Sequence, residues 1–300
     1  MMIGSAEAAM MDDEGRERQP APRIRDAAQI AAIARGLRRR VIELVAPTGQ
    51  GYVQQGLGAA DLFAVLYFAE MRLDPSDPEW PDRDRFLLST AHNTAIFYAT
   101  LAARGLVDPA AVRDYCRDGS PFEINASERV GRAVEATLGS LGQGLSVGAG
   151  MALSLRRRGS PARVHVVLGD GELQEGQVWE AALFAAGNAL ANLCLIVDDN
   201  RMQVEGHIDT VVTVAPIAEK FAAFGWAAED VDGHDVAALM AALDRARLRD
   251  RPTCLVARTV AGKGVPALEG LLAHNLKLPE GVAADALAAL SPTVEPEEAR

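Results

Sequence analysis

Asp170 and Asn200 are the two side chains of this sequence best placed to share a cation. Asp170 follows the apolar run Val164-His165-Val166-Val167-Leu168 and opens Gly169-Asp170-Gly171; Asn200 follows Leu193-Cys194-Leu195-Ile196-Val197, in the cluster Asp198-Asp199-Asn200-Arg201-Met202. Each run is short and rich in β-branched residues, the pattern of a strand buried on both faces. The intervening residues 175–191 are long enough for a crossover helix, so the runs predict two parallel strands that end on the same side of a sheet. Ligands of open α/β sheets bind at the carboxyl ends of strands. A carboxylate, an amide oxygen and a backbone carbonyl such as that of Met202 would leave room around magnesium for two diphosphate oxygens and a water.

Two other phosphate motifs fail on spacing. A dinucleotide fingerprint that starts at Gly169 needs a third glycine where Gln174 stands. The carboxylate of Asp170 would also repel a bare pyrophosphate, so this loop needs a metal. Gly262-Lys263 suggests a P-loop, but Ala257 occupies the first glycine position and Gly264 the position of the required hydroxyl residue.

The elements that must carry these residues alternate along the chain. Helical spacing covers residues 25–45, with Arg38, Arg39 and Arg40 expected on the solvated face, and 59–71, with Asp61 favouring the helix dipole in the first turn. It recurs at 93–104, closed by Gly105, and at 142–155, 216–224 and 236–249. Strand patterns fall at 86–89, 164–168, 193–197, 226–231 and 253–258; residues 46–58 and 74–84 read as loops. The alternation implies an α/β fold, a doubly wound parallel sheet with helices on both faces. Gly144, Gly148 and Ala152 share one helix face, where a second backbone or a cofactor can approach closely. Residues 1–24 read as a flexible arm, 25–280 as the folded domain and 281–300 as a peripheral acidic tail.

Composition narrows the class. The chain has 300 residues, of which 49% are hydrophobic, enough for a sizeable core. Its formal charge of −11 argues against nucleic acid and anionic membranes as partners. No apolar run approaches a membrane span, and the first twenty-odd residues lack the basic start and apolar centre of a secretion signal. Cys116, Cys194 and Cys254 show neither disulfide nor metal spacing, and a reducing cytoplasm is the expected location.

Four segments, in order and in one register across roughly residues 26–280, carry a family likeness. Gly169-Asp170-Gly171-Glu172-Leu173-Gln174-Glu175-Gly176 with Asn200 resembles the thiamine diphosphate motif. Leu138-Gly139-Ser140-Leu141-Gly142-Gln143-Gly144, Val231-Asp232-Gly233-His234-Asp235 and Thr259-Val260-Ala261-Gly262-Lys263-Gly264-Val265 narrow the resemblance to the transketolase family. The resemblance implies the diphosphate-binding (PP-type) domain of that family. The cofactor would supply an electron sink at its thiazolium ring, and the protein would anchor it, orient it and exclude water.

By the same resemblance, Asp170, Asn200 and the Met202 carbonyl hold magnesium, or calcium or manganese in its place. Asn200 and the Gly171 amide face the diphosphate, and Gly139, Ser140 and Leu141 border the aminopyrimidine. His92, in Ser89-Thr90-Ala91-His92-Asn93, matches a family histidine near the diphosphate, although Ala91 replaces the usual glycine. His274 matches another near cofactor and substrate. Glu175 and Glu180 match acids of a proton-linked network across a subunit interface. Structural roles are expected for His165 and His234, and His207 stays open. Two family histidines are replaced: Gln50 stands in the first active-site loop and Asn125 upstream of the cofactor loop. Both amides can bond a sugar hydroxyl, but neither can shuttle a proton near neutral pH.

A whole transketolase carries a second domain with the glutamate that activates the pyrimidine, and the sequence ends at residue 300, soon after His274. The expectation is therefore an N-terminal subunit that works with a separate C-terminal subunit in an α2β2 assembly. It would move a two-carbon ketol unit from a ketose donor to an aldehyde acceptor, on a sugar or sugar phosphate. Two alternatives stay open: a subunit of a 2-oxo acid decarboxylase or pyruvate–aldehyde condensing enzyme, and a non-catalytic cofactor-binding subunit.

Overall fold

The computed structural model describes residues 20–271 and 277–291. The chain enters through α1 (Ala27–Val45), α2 (Val53–Gly58), α3 (Ala60–Ala64) and a π-helical segment (Val65–Glu70). Next come β1 (Arg85–Leu88), α4 (Thr94–Ala103), α5 (Gln143–Arg157), β2 (Val164–Gly169), α6 (Gly176–Gly187) and β3 (Leu193–Asp199). A short hairpin, β4 (Met202–Gln203) with β5 (Gly206–His207), leads into α7 (Ile208–Val211) and α8 (Ile217–Ala223). The chain continues through β6 (Ala227–Asp232), α9 (Val236–Arg247), β7 (Thr253–Arg258) and α10 (Val282–Ala289).

Five strands form one parallel sheet in the order β1-β2-β3-β7-β6. Side chains of a strand alternate between faces, and here both faces are covered. Val167, Cys194, Ile196, Leu255 and Ala257 point into a core shared with α1–α4, α9 and α10. Val166, Leu168, Leu195, Val197, Cys254 and Val256 point into a second core under α5, α6 and α8. This two-sided burial is why the central strands lack polar alternation. The fold is the α/β sheet, helices on both faces, that the sequence implies.

The small-residue face of α5 lies directly on the sheet. A Cβ on Gly148 would come 2.5 Å from Val166, and one on Gly144 would come 2.4 Å from the Ser89 side chain. Ala152 is fully buried. Close packing therefore explains all three positions.

Several local readings are corrected. Arg38 is not on a solvated face: its guanidinium is buried, pairs with Asp61 and donates from Nε to the Leu57 carbonyl at 2.9 Å. Asp61 is correspondingly a buried counter-ion. Burial works against its ionisation, but the hydrogen bond from His234 and the charge of Arg38 hold its carboxyl below the ordinary value. His234 bridges Asp61 (Nδ1···Oδ2 2.8 Å) to the Val260 amide, which donates to Nε2 at 2.8 Å, so its role is structural as expected. His165 is also structural, fully buried beside Glu70 at 3.4 Å. His207 accepts from the Asp209 amide at the start of α7.

The second half of the expected 46–58 loop is the buried helix α2. The expected tail, 281–300, begins instead with α10, whose Ala286 and the following Leu290 are buried in the first core. Val282, Ala283, Ala286 and Leu287 form its inward face beside α1, and Arg39 donates to the Leu287 carbonyl at 3.2 Å. The end of the expected 1–24 arm is also tied down: Ala21 and Ile24 donate backbone hydrogen bonds to Leu73 and Phe68.

Candidate active site

The register of the sheet brings the acidic residues together. Gly169 pairs with Asp198 at the end of β2 and β3, and Asp199 pairs with Arg258 on the next strand. Asp170 and Asn200 therefore leave adjacent parallel strands at the same carboxyl edge, as the spacing predicts. Asp170 starts a 3-10 turn (Asp170–Gln174) and is 1% exposed. Its Oδ1 accepts the Gly171 amide at 2.9 Å, while Oδ2 is buried with no hydrogen-bond partner. The Asn200 Oδ1 accepts the Met202 amide at 3.0 Å, a turn made by Arg201 with φ 63°. Gly171 lies against the hairpin: a Cβ there would be 3.7 Å from the Met202 carbonyl oxygen. A cavity of about 110 Å³ opens here, lined by His92, Leu141, Asp170, Gly171, Glu175, Asn200 and Met202 among others.

The electrostatics of this edge call for a cation. Burial, with added repulsion from Asp199 and Asp198, pushes the Asp170 carboxyl up to about 8. Burial also raises Asp198, against donors from Thr259 at 2.5 Å and Asn93 at 3.2 Å. Burial raises Asp199, one of whose oxygens has no partner. The edge thus gathers three acids, two of them with an orphaned oxygen, and no lysine or arginine stands among the described cavity-lining residues. That combination suits a divalent ion with oxygen ligands. The donor set matches that use: one carboxylate, one amide oxygen with a second lone pair, and a backbone carbonyl. Among the described residues no group of three His, Cys, Asp or Glu side chains is arranged to hold a metal.

His92 comes from a 3-10 turn (Ala91–Asn93) just after β1. Its Nε2 lies 2.5 Å from the Thr90 hydroxyl, and a Cβ on Gly169 would be 3.6 Å from the ring. The structure brings His92 to the cavity wall beside Asp170. Leu141 reaches the same wall, while Gly139 and Ser140 are exposed beside it. Asn125 is exposed next to Gly139, its amide nitrogen 3.6 Å from where a Cβ on that glycine would stand. Glu175 lines the cavity, whereas Glu180 is exposed on α6 and does not. Gln50 is half-buried in the turn after α1, with its backbone amide on Thr48, and is not among the cavity-lining residues. His274 lies outside the described residues.

Two residues of this region escape the sequence reading. Tyr52 places its ring edge-on to His92, with centroids 6.0 Å apart. Tyr52 is the N-cap residue of α2, two positions after Gln50. Glu172 is 2% exposed and accepts from the Ser89 hydroxyl, the Gly142 amide at 2.7 Å and the Gly169 amide at 3.3 Å. Burial pushes its carboxyl up, against three donors that favour the charge. Nothing in the polar turn Asp170–Gln174 singles out Glu172, and two of its partners, Ser89 and Gly142, are too distant in sequence to be read.

Comparisons with known proteins agree with this geometry. Residues 29–281 match the family described as transketolase, thiamine diphosphate binding domain. The chain is 37% identical over 246 residues to 6-deoxy-6-sulfo-D-fructose transketolase subunit SqwG of Clostridium sp. (strain MSTE9), an overlap of 81% of this chain and 90% of that protein. It is 32% identical over 250 residues to an apulose-4-phosphate transketolase subunit of Actinobacillus succinogenes, covering 83% and 90%. The solved transketolase of Leishmania mexicana superposes with a TM-score of 0.81 at 29% identity over 87% of this chain, which spans 41% of that longer protein. The chain therefore belongs to the transketolase family of transferases, and residues 29–281 are its thiamine diphosphate-binding domain.

Proposed function

We propose that this chain is the diphosphate-binding subunit of a two-subunit transketolase, transferring a two-carbon ketol unit from a ketose to an aldehyde. The observation that carries the reading is the buried, half-orphaned carboxylate of Asp170 beside Asn200 at one strand edge. In this reading Asp170, Asn200 and the Met202 carbonyl hold magnesium. The Gly171 amide and His92 face the diphosphate, and Gly139, Ser140 and Leu141 border the pyrimidine. Bound there, thiamine diphosphate would supply an electron sink at its thiazolium ring. The residues of this chain anchor and orient it. The carboxylate edge fixes the metal, Leu141 and Met202 line the cavity, and the Tyr52 ring packs edge-on to His92 on its wall.

The partner follows from the relatives. Two proteins named as transketolase subunits match this chain over 90% of their length, whereas a whole transketolase is covered over 41%. The pyrimidine-binding domain and its activating glutamate then come from a separate C-terminal subunit, in an α2β2 assembly in which Glu175 and Glu180 face the interface. Gln50 and Asn125 border the sugar. A cytoplasmic setting accords with three free cysteines, two of them buried in the core. The test is ketol transfer by the purified chain with magnesium and thiamine diphosphate, with and without the C-terminal subunit. Turnover only in the mixture is expected. Turnover by the chain alone would overturn the two-subunit reading, and carbon dioxide release from a 2-oxo acid in place of ketol transfer would overturn the reaction.

A further inference from the structure

The helix α5 cannot cap its own start. Its N-cap is Gly142, held at φ 83°, which offers no side-chain acceptor to the first amides. The missing acceptors come from elsewhere in the chain. Glu172 Oε1 takes the Gly142 amide at 2.7 Å. The Ser89 hydroxyl takes the Gly144 amide at 3.1 Å and donates onward to the same Glu172 oxygen. The second oxygen, Oε2, reaches the Gly169 amide at 3.3 Å. Glu172 therefore joins three segments: the end of β1, the loop that leads into α5, and the turn that carries Asp170. Its charge also sits at the positive end of a fifteen-residue helix. Contacts on the other side leave the loop little freedom, since a Cβ on Gly142 would lie 2.8 Å from Glu175 and 2.9 Å from Gln177, and Gln177 donates to the Leu141 carbonyl at 2.9 Å.

We infer that Glu172 is a positioning residue that sets the ring-side loop, Gly139 to Leu141, against the diphosphate-side turn at Gly169 to Gly171. The inference rests on the reading of the site proposed above and adds to it a residue that lies in the wall of the same cavity but is assigned no metal or diphosphate contact in that reading. Its consequence is a split between two ligands. Magnesium pyrophosphate uses only the turn and the metal ligands, while magnesium thiamine diphosphate also uses the loop. Loss of Glu172 should weaken the second and spare the first.

The experiment titrates the full chain with each ligand by calorimetry. Glu172→Ala should weaken thiamine diphosphate by on the order of tenfold, the loss of hydrogen bonds to a charged group, with pyrophosphate affinity within about twofold of wild type. Glu172→Gln should restore only part of the loss, because one oxygen suffices for the Ser89 and Gly142 donors, whereas the amide nitrogen, itself a donor, then faces the Gly169 N–H. Ser89→Ala, a smaller change, should lower thiamine diphosphate affinity several-fold and leave pyrophosphate alone, which keeps the test open if Glu172→Ala does not fold. Equal losses for both ligands, or no loss for either, would overturn the inference. Failure of the wild-type chain to bind magnesium pyrophosphate would instead overturn the proposed function, and this inference with it.

Discussion

Replacing Asp170 by Asn should stabilise the metal-free protein while abolishing its response to metal. The Asp170 carboxyl is driven from an ordinary value of 3.8 up to about 8, by burial first and by Asp199 and Asp198 next. An acid whose value is raised on folding destabilises the folded state as pH rises from its unfolded value to its folded one. At pH 7 most of that interval has been crossed, and at about 1.4 kcal/mol per unit the penalty is on the order of 4 kcal/mol. An amide at this position keeps an oxygen for the Gly171 amide and carries no charge, so it removes most of the penalty. For a chain of this size each 1 kcal/mol shifts the melting temperature by about 2–4 °C, so a gain on the order of 10 °C is expected. The assay is thermal unfolding in EDTA at pH 7 and pH 5. The advantage of Asp170→Asn should shrink to about 2 kcal/mol at pH 5, where part of the wild-type strain is already relieved. In magnesium and thiamine diphosphate the gap should narrow to on the order of 1 kcal/mol, because ligand at a hundred times its Kd adds about 2.7 kcal/mol to wild type alone. Equal or lower stability of Asp170→Asn in EDTA at pH 7 would refute the electrostatic account of this edge.

Three further outcomes follow from the packing and the buried ion pairs. Gly144→Ala puts a methyl 2.4 Å from the Ser89 side chain and 3.0 Å from its Cα, so it should cost about 1–3 kcal/mol in thermal unfolding and weaken the cofactor. Asp61 and Glu70 act in the opposite sense to Asp170. Burial opposes their charge, but His234 with Arg38, and His165 with Arg247, hold their carboxyls below the ordinary values. Their stabilisation is complete above the unfolded values near 4 and is lost as pH falls through the lower folded ones, so the acid side of a stability–pH curve in EDTA should steepen below about pH 4.5. Glu70→Gln should flatten that limb in denaturant titrations. Arg38→Ala should cost about 3–5 kcal/mol by leaving Asp61 buried without its strongest cation, measured by urea unfolding.

Much of this protein is written locally, and what is not has a common physical cause. β2 and β3 are legible because strands covered on both faces need unbroken apolar runs. Asp170 and Asn200 are legible because polar residues that interrupt such runs mark the sheet edge. Arg38 runs against its local pattern because a helical arginine is normally solvated, and nothing near it in sequence announces that Asp61 and the Leu57 carbonyl will enclose it. α10 is hard to read because its burial rests on few side chains, Ala286 and Leu290, inside an alanine-rich segment with a peripheral composition. Glu172 meets Ser89 across 83 positions of sequence, and Tyr52 meets His92 only once α2 packs against the turn after β1. Contacts of that range are set by topology, and periodicity carries no trace of them.

The measurement closest to the central claim is a crystal of the chain grown with manganese and thiamine diphosphate and read by anomalous scattering. A single strong peak bounded by the Asp170 carboxylate, the Asn200 amide oxygen and the Met202 carbonyl, with diphosphate density beside it, is the expected result. Manganese bound at another place, or diphosphate density away from the carboxyl ends of β2 and β3, would contradict it.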